Sequence, residues 1–342
     1  MLADETLPGI SVVIPTLNSA RYLDECLQSI VDQDYSRELL EIIIIDGGSH
    51  DQTLDIARRH RVDQILENRL ATGEAGKAEG LHYATRELIL MVDSDNVLVG
   101  LDWLRRMVRP LMADSSVVSS ECLRWEYRRK DHFINRYQAL TGINDPMALF
   151  IGNYDRWSEL QQRWTGYPVR AESRDGWERV ELYASHVPTM GANGYVVRRM
   201  AYAQIDVGDY LFDIDAVHDL VAAGLNIIAR VDVPIRHYYC DSVARFYNKT
   251  RRRTDDFFYF RSQGMRTYPW TTQQRLGILW FIAATVLVVP LLAQVLRGYR
   301  RVADPAWLFH VPACWITLVV YAIGTLRGAV RPAKLDRSGW SQ

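Results

Sequence analysis

The chain has 342 residues, 48 % hydrophobic and 24 % charged, with 40 Lys and Arg against 41 Asp and Glu. That length holds one large or two ordinary domains; the charged fraction excludes a protein embedded in a membrane throughout, and the apolar fraction excludes disorder. A net charge of -1 gives no reason to expect nucleic acid, although residues 1–120 carry a net -9 and residues 121–342 a net +8, so the back half is expected to sit near something anionic.

Met1–Pro8 is acidic and has no apolar stretch, so no signal peptide is expected. Ile10–Pro15 is a short β-branched strand, and Glu41–Asp46 (EIIIID) is nearly continuous isoleucine, as in a central parallel strand buried on both faces. Val62–Glu67 and Leu88–Asp93 are two further strands. Arg21–Val31, Thr53–His60 and Lys77–Arg86 carry helical patterns between them, with Asp51 as an N-cap of the second. Strand–helix repeats of this kind predict an α/β fold with a parallel sheet, whose ligands sit beyond the carboxyl ends of the strands. The residues there are Pro15-Thr16-Leu17-Asn18, Asp46-Gly47-Gly48-Ser49 and Asp93-Ser94-Asp95-Asn96. Two carboxylates flanking Ser94 at a strand end can converge on a hard divalent cation. Such an ion can bridge a diphosphate and stabilise its charge as it leaves.

Trp125–Tyr183 holds Trp125, Trp157, Trp164 and Trp177 among arginines without clear periodicity. It reads as an acceptor-binding insertion (about 125–185) or as helices packed on the sheet. Residues 236–275 carry 9 basic and 3 acidic side chains interleaved with aromatics, which suits the phosphate layer of a membrane; Arg245, Lys249, Arg251, Arg252 and Arg253 are its phosphate or membrane-surface candidates. Leu276–Leu296 and Ala306–Leu326 are each 21 residues long without Asp, Glu, Lys or Arg. They predict a two-helix membrane hairpin over 276–326, with a tail over 327–342. Seven flanking basic residues (Arg261, Arg266, Arg275, Arg327, Arg331, Lys334, Arg337) against Arg297, Arg300 and Arg301 in the connector put the main domain on the cytoplasmic face. A buried helix pair, or an in-plane or re-entrant hairpin kinked at Pro290 and Pro312, are the alternatives. Cys26, Cys122, Cys240 and Cys314 match no metal or redox pattern and read as reduced structural cysteines.

Over about residues 8–250 these motifs resemble, in order, the inverting family 2 glycosyltransferases of GT-A fold. Val12–Asn18 is similar to the family's opening nucleotide-binding segment, and Ile42–Asp51 to its Val-Asp-Asp-Gly-Ser-Thr-Asp segment, with Gly47 in place of the second aspartate. The resemblance implies a catalytic domain over 1–235 that seats a nucleoside-diphosphate sugar on Pro15, Thr16, Asn18, Asp46, Lys77, Asp93, Ser94 and Asp95. It implies a divalent cation, Mn2+ or Mg2+, on Asp93, Asp95 and His237. Gly191-Ala192-Asn193-Gly194 resembles the family's acceptor-side Gly-Ala-Asn-Gly stretch. Phe212-Asp213-Ile214-Asp215 resembles its Glu-Asp motif, with Phe212 in place of glutamate, so the catalytic base is Asp213 or Asp215. The implied function is a membrane-attached inverting transferase that acts on a hydroxyl of a lipid-linked saccharide in surface glycan assembly. A polyprenyl-phosphate acceptor is the alternative, and a non-catalytic sugar-nucleotide-binding scaffold a further one.

Overall fold

The computed structural model describes residues 7–330, so the predicted cationic flank at Arg331, Lys334 and Arg337 lies outside it, as does the tail beyond. The first half runs β1 (Ile10–Thr16), α1 (Ala20–Val31), β2 (Leu40–Asp46), α2 (Thr53–Arg59), β3 (Gln64–Glu67), α3 (Gly73–Tyr83), β4 (Leu88–Met91), β5 (Asn96–Leu98), α4 (Trp103–Ala113) and β6 (Ser119–Trp125). It continues through α5 (Phe133–Thr141), α6 (Ala148–Ile151), β7 (Arg170–Arg174), β8 (Trp177–Glu181), β9 (Tyr195–Arg198), α7 (Arg199–Tyr202), α8 (Asp213–Ala222) and β10 (Ile227–His237). The chain then turns helical: α9 (Val243–Ser262), α10 (Thr272–Leu287), α11 (Val289–Arg301) and α12 (His310–Val330).

The expected parallel unit is present as β3-β2-β1-β4, and the sheet continues β9-β6-β10-β8-β7 with β5 on β10. β1 and β2 are buried on both faces, as the β-branched runs Val12–Ile14 and Ile42–Ile45 require. One layer of the core lies under α1 and α4, where Leu23, Cys26, Leu27 and Ile30 recur at helical spacing against the sheet. The other lies under α3 and α8. Two antiparallel pairings set up the functional end. β9 pairs β4 with Tyr195 opposite Met91, which carries residues 191–194 to the end of β4. β5 pairs β10 with Asn96 opposite His237, which brings the imidazole beside the Asp93–Asn96 turn.

The predicted insertion contributes to the sheet itself, since β8 pairs antiparallel with β10 and β7 with β8. Trp125, Trp164 and Trp177 are buried, and Trp125 and Trp164 lie under the Arg156 and Arg230 guanidinium groups. Those arginines meet Glu121 at 3.0 and 2.8 Å in a buried ionic cluster.

The two expected membrane spans differ from the structure. The first is two helices, α10 and α11, bent by 92° where Val288 adopts a left-handed φ of 63° and Pro290 opens α11. Proline is pre-shaped for a helix's first turn and cannot continue the preceding one. Pro305–Gly328 is long and apolar enough to cross a membrane, with a mean hydropathy of 1.7 over its most apolar window. A pair of straight spans is therefore not found among the described residues.

Candidate active site

The loops after β1 and β2 are bonded into one surface. Asp46 accepts from the Thr16 hydroxyl (2.8 Å) and the Ser49 hydroxyl (2.6 Å) on Oδ1, and from the Gly48 and Ser49 amides (3.0 and 2.7 Å) on Oδ2. Both carboxylate oxygens are thereby committed to shaping the loop. Asn18, at φ 50°, donates its amide to Ser49 Oγ and accepts the His50 amide on its side chain. Pro15 is buried beneath, against Gly76 of α3. Asp51 is not the N-cap of α2, a position Gln52 takes without a side-chain bond; one residue earlier, its carboxylate accepts the Thr53 amide at 3.0 Å.

At the end of β4 the Asp93 amide donates to Asn96 Oδ1 (3.1 Å), closing the turn that fans the two acids apart. Ser94 is buried and donates to Ser19 Oγ at 3.0 Å, tying this turn to the β1 loop. Asp93 faces Lys77 of α3, whose Nζ lies 3.7 Å from its Oδ1 and 2.9 Å from each oxygen of Asp213. Burial lowers the Lys77 pKa, but Asp213 and then Asp93 outweigh it, so the ammonium is held charged. Burial pushes the Asp213 carboxyl up to about 6, against the opposing pull of Lys77.

Asp95 faces the other way. Its Oδ1 lies 3.5 Å from His237 Nε2 and its Oδ2 3.7 Å from Lys249 Nζ. Burial raises its pKa, but His237 and then Lys249 overcome this and hold the carboxyl down at about 2. Gln138 of α5 lies 2.7 Å from His237 Nδ1 and fixes the ring. Lys249 also donates to the Tyr239 carbonyl at 2.7 Å. Arg245 pairs with Asp241 and Arg253 donates to the Tyr239 hydroxyl, while Arg251 is exposed. Arg252 is half-buried on the same helix.

The two acids left open as base are separated by their surroundings. Asp215 accepts from Arg266 Nε (2.9 Å) and from the Thr267 and Tyr268 amides (2.6 and 2.9 Å), so it fastens the chain after α9. Asp213 instead stands beside Lys77 and the Gly191–Gly194 loop: a Cβ on Gly191, at φ 109°, would come within 3.0 Å of the Asp213 carbonyl. Gly194 donates to the Met91 carbonyl, and the Ala192 and Asn193 carbonyls accept from Arg156. Phe212 packs on Tyr210 and Phe260 and lies under the Arg266 guanidinium.

Gln138, Arg156 and Arg266 were missed by sequence reasoning. They act through positions far apart in the chain and belong to no local pattern. Among the described residues no group of three or more His, Cys, Asp or Glu side chains is gathered as a metal site. A carboxylate and an imidazole nitrogen do converge at Asp95 and His237, a donor pair that would fit a first-row divalent cation.

Residues 11–172 match the family model described as Glycosyl transferase family 2. That match takes in a little under half of the chain. Glycosyltransferase AglE of Haloferax volcanii is 24 % identical over 143 residues, covering 40 % of this chain and 47 % of that protein. The poly(ribitol-phosphate) beta-N-acetylglucosaminyltransferase TarS of Staphylococcus aureus is 36 % identical over 93 residues, 26 % of this chain and 16 % of TarS. A Methanococcus voltae dolichyl N-acetyl-alpha-D-glucosaminyl phosphate 3-beta-D-2,3-diacetamido-2,3-dideoxy-beta-D-glucuronosyltransferase is 36 % identical over 91 residues, 26 % of this chain and 27 % of that enzyme. The chain thus spans less than half the length of these curated relatives. Among solved structures, mannosyltransferase PcManGT of Pyrobaculum calidifontis, in complex with GDP-Man and Mn2+, superposes with a TM-score of 0.54 over 94 % of this chain and 87 % of that one at 16 % identity, a likeness of fold. The family-model and relative matches support a glycosyltransferase, and the helical back half lies past the matched residues.

Proposed function

We propose that the chain is a membrane-attached, metal-dependent inverting glycosyltransferase that moves a sugar from a nucleoside-diphosphate sugar to a hydroxyl of a lipid-linked saccharide at the cytoplasmic face. The observation that carries this reading is the convergence at the end of β4 of two oppositely facing acids. Asp95 stands with His237 and Lys249, and Asp93 with Lys77 and Asp213. The first group suits a diphosphate and its cation, the second an incoming hydroxyl.

In this reading the loops around Pro15, Thr16, Asn18 and Asp46 form the nucleoside seat. Asp95 and His237 would hold Mn2+ or Mg2+, which supplies positive charge to the departing diphosphate, whereas Asp93, expected beside them, is turned to Lys77. Lys249 adds a second positive charge on the same side, and Ser94 holds the turn. Asp213 takes the acceptor proton onto its carboxylate as the oxygen bonds to the anomeric carbon, and Lys77 fixes that carboxylate's orientation. The Gly191–Gly194 loop, packed on Asp213, admits the acceptor closely because it lacks bulk. The acceptor class is also the one named for the Methanococcus voltae relative, whose substrate is a dolichyl-linked sugar phosphate.

One observation favours a second reading. Both oxygens of Asp213 are engaged by Lys77 at 2.9 Å, which makes the carboxylate a weaker base. An acceptor that arrives already ionised, such as a polyprenyl phosphate, needs no base.

The test is release of nucleoside diphosphate from UDP-, GDP- and TDP-sugars by detergent-solubilised protein, in Mn2+ or EDTA. Metal-dependent release stimulated by a lipid-linked saccharide is the expected result. Stimulation by bare polyprenyl phosphate instead selects the second reading, and neither release nor donor binding across the panel refutes both.

A further inference from the structure

Fifteen of the twenty-five exposed large apolar side chains among the described residues lie between Leu276 and Leu326. Leu276, Leu279, Leu287, Leu292, Leu308 and Leu326 are each more than half exposed. A patch of that density on a polar protein marks an interaction surface. Its charge is one-sided. From Thr272 to Val330 the single acidic residue is Asp304, which is buried, whereas Arg275, Arg297, Arg300, Arg301 and Arg327 are exposed. Apolar side chains fringed only by arginine complement the acyl–phosphate boundary of an anionic bilayer.

The contacts of these helices also fix how they can meet it. In a spanning hairpin the connector between α11 and α12 would lie across the bilayer from the catalytic domain. Here it is bound to that domain. Arg301 donates to the carbonyls of Glu159 (2.6 Å) and Leu160 (2.9 Å), and Asp304 accepts from the Tyr127 hydroxyl (2.5 Å) and lies 3.3 Å from Arg136. α12 lies along α9 to its far end. Gly324 packs on Thr254 and Gly328 on Phe258, each with no room for a Cβ, while Tyr321 donates to Asp145. α9 bears Arg251, Arg252, Arg253, Asp255 and Asp256 in that stretch, and a helix so charged does not enter hydrocarbon alongside its partner.

We infer that α10, α11 and α12 form a monotopic docking surface for an anionic bilayer: the helices lie in the plane of the interface, their exposed leucines enter one leaflet, their arginines meet lipid phosphates, and the 297–305 connector stays on the catalytic side. The 92° break at Val288 follows from this arrangement, because it spreads α10 and α11 over the surface where a straight helix would point through it. This deepens the membrane attachment proposed above and is independent of the transfer chemistry.

The test uses the full chain with phosphatidylcholine vesicles, with or without phosphatidylglycerol. The protein should float with the anionic vesicles, and R297E/R300E should bind them at least about tenfold more weakly, since each basic residue near the surface contributes about a factor of five. Donor turnover in detergent should be unchanged in that variant, so loss of docking is read separately from loss of the proposed activity. Topology is read from a Ser115→Cys/Ala303→Cys double variant in proteoliposomes, labelled with a membrane-impermeant maleimide. Both sites are exposed, and the native cysteines are buried. In-plane docking gives molecules with two labels or none. One label per molecule would mean a spanning connector and would overturn the inference. So would equal binding by R297E/R300E and the parent chain, or indifference to both vesicles by a chain that light scattering shows to be a dimer, its apolar face covered by a second copy.

Discussion

Lys77 is the residue on which the acceptor side of the proposed site depends. A buried ammonium facing two carboxylates is stable only while both remain, and it holds Asp213 in one orientation against the Gly191 loop. If Asp213 is the base, Asp213→Asn should lower kcat with a hydroxyl acceptor by about 10²–10⁴-fold and leave donor binding intact; a loss under threefold would assign the acceptor to the ionised class. The pH dependence follows with a definite sign. A base works deprotonated, and burial holds the Asp213 carboxyl at about 6, so turnover should climb as pH rises through 6 and level off above it. An acid limb near the ordinary aspartate value would show that the Lys77 pairing, not burial, controls the group. On the opposite side, Gln138 touches no proposed ligand but His237. Gln138→Leu should weaken Mn2+ binding in the presence of a nucleoside diphosphate by about 10–100-fold, as loss of a second partner does at other metal-binding histidines. The free Mn2+ signal in electron paramagnetic resonance measures this without turnover; unchanged affinity would remove His237 from the cation.

At the scale of elements, α3 is the part whose packing decides the site. It presents Lys77 and lies so close to the sheet that a Cβ on Gly80 would fall 2.4 Å from Val13 Cγ1 and 2.9 Å from Ile45 Cδ1. Gly80→Ala should therefore lift the helix, cost about 1–3 kcal/mol of stability, and slow turnover by shifting Lys77. Val13→Ala on the same chain should recover part of both losses, because it vacates the space the new methyl needs; denaturant unfolding and turnover of the double variant test this coupling, which additive losses would disprove. The same close approach explains why α3 was hard to read. Gly73, Gly76 and Gly80 suppress any amphipathic pattern, so the helix is predicted from Lys77 to Arg86 and in fact starts at Gly73 and ends at Tyr83. β1 and β2 were legible because burial on both faces demands the isoleucine and valine runs they carry, and the three loops at their ends and at β4 were legible as strand-end positions. β9 between β4 and β6, and β5 on β10, were not, since antiparallel partners about a hundred residues apart leave no local trace. His237 owes its place beside Asp95 to that second pairing. The distinction between Asp213 and Asp215 was equally hidden, because it rests on Arg266, Thr267 and Tyr268 returning from beyond α9.

Across the whole molecule, the C-terminal helices are part of the core as well as its apolar margin. Trp307, Phe309 and Ala313 are buried in one cluster with Tyr137, Leu140 and Phe246, and Tyr137 lies 2.7 Å from His310 Nδ1 one residue before Gln138 reaches His237. The helices whose outer face we infer to dock on lipid thus face inward to α5, which holds His237 through Gln138. A detachable anchor would lack this second face. Ending the chain at residue 270 would strip the cover from that cluster, and each buried aromatic lost is worth about 1.5–3 kcal/mol of transfer free energy. The fragment should unfold well below the full chain and lose nucleoside-diphosphate release in detergent, where membrane attachment itself is not needed. Trp307→Ala isolates the same effect without removing the lipid-facing side chains: its indole is buried against Gly298 and donates to the Val302 carbonyl at 3.0 Å. That substitution should cost about 3–5 kcal/mol in denaturant unfolding while vesicle binding by the folded fraction persists. If the 1–270 fragment kept the melting temperature and turnover of the full chain, the helices would be an appendage and the link from membrane surface to active site would be absent.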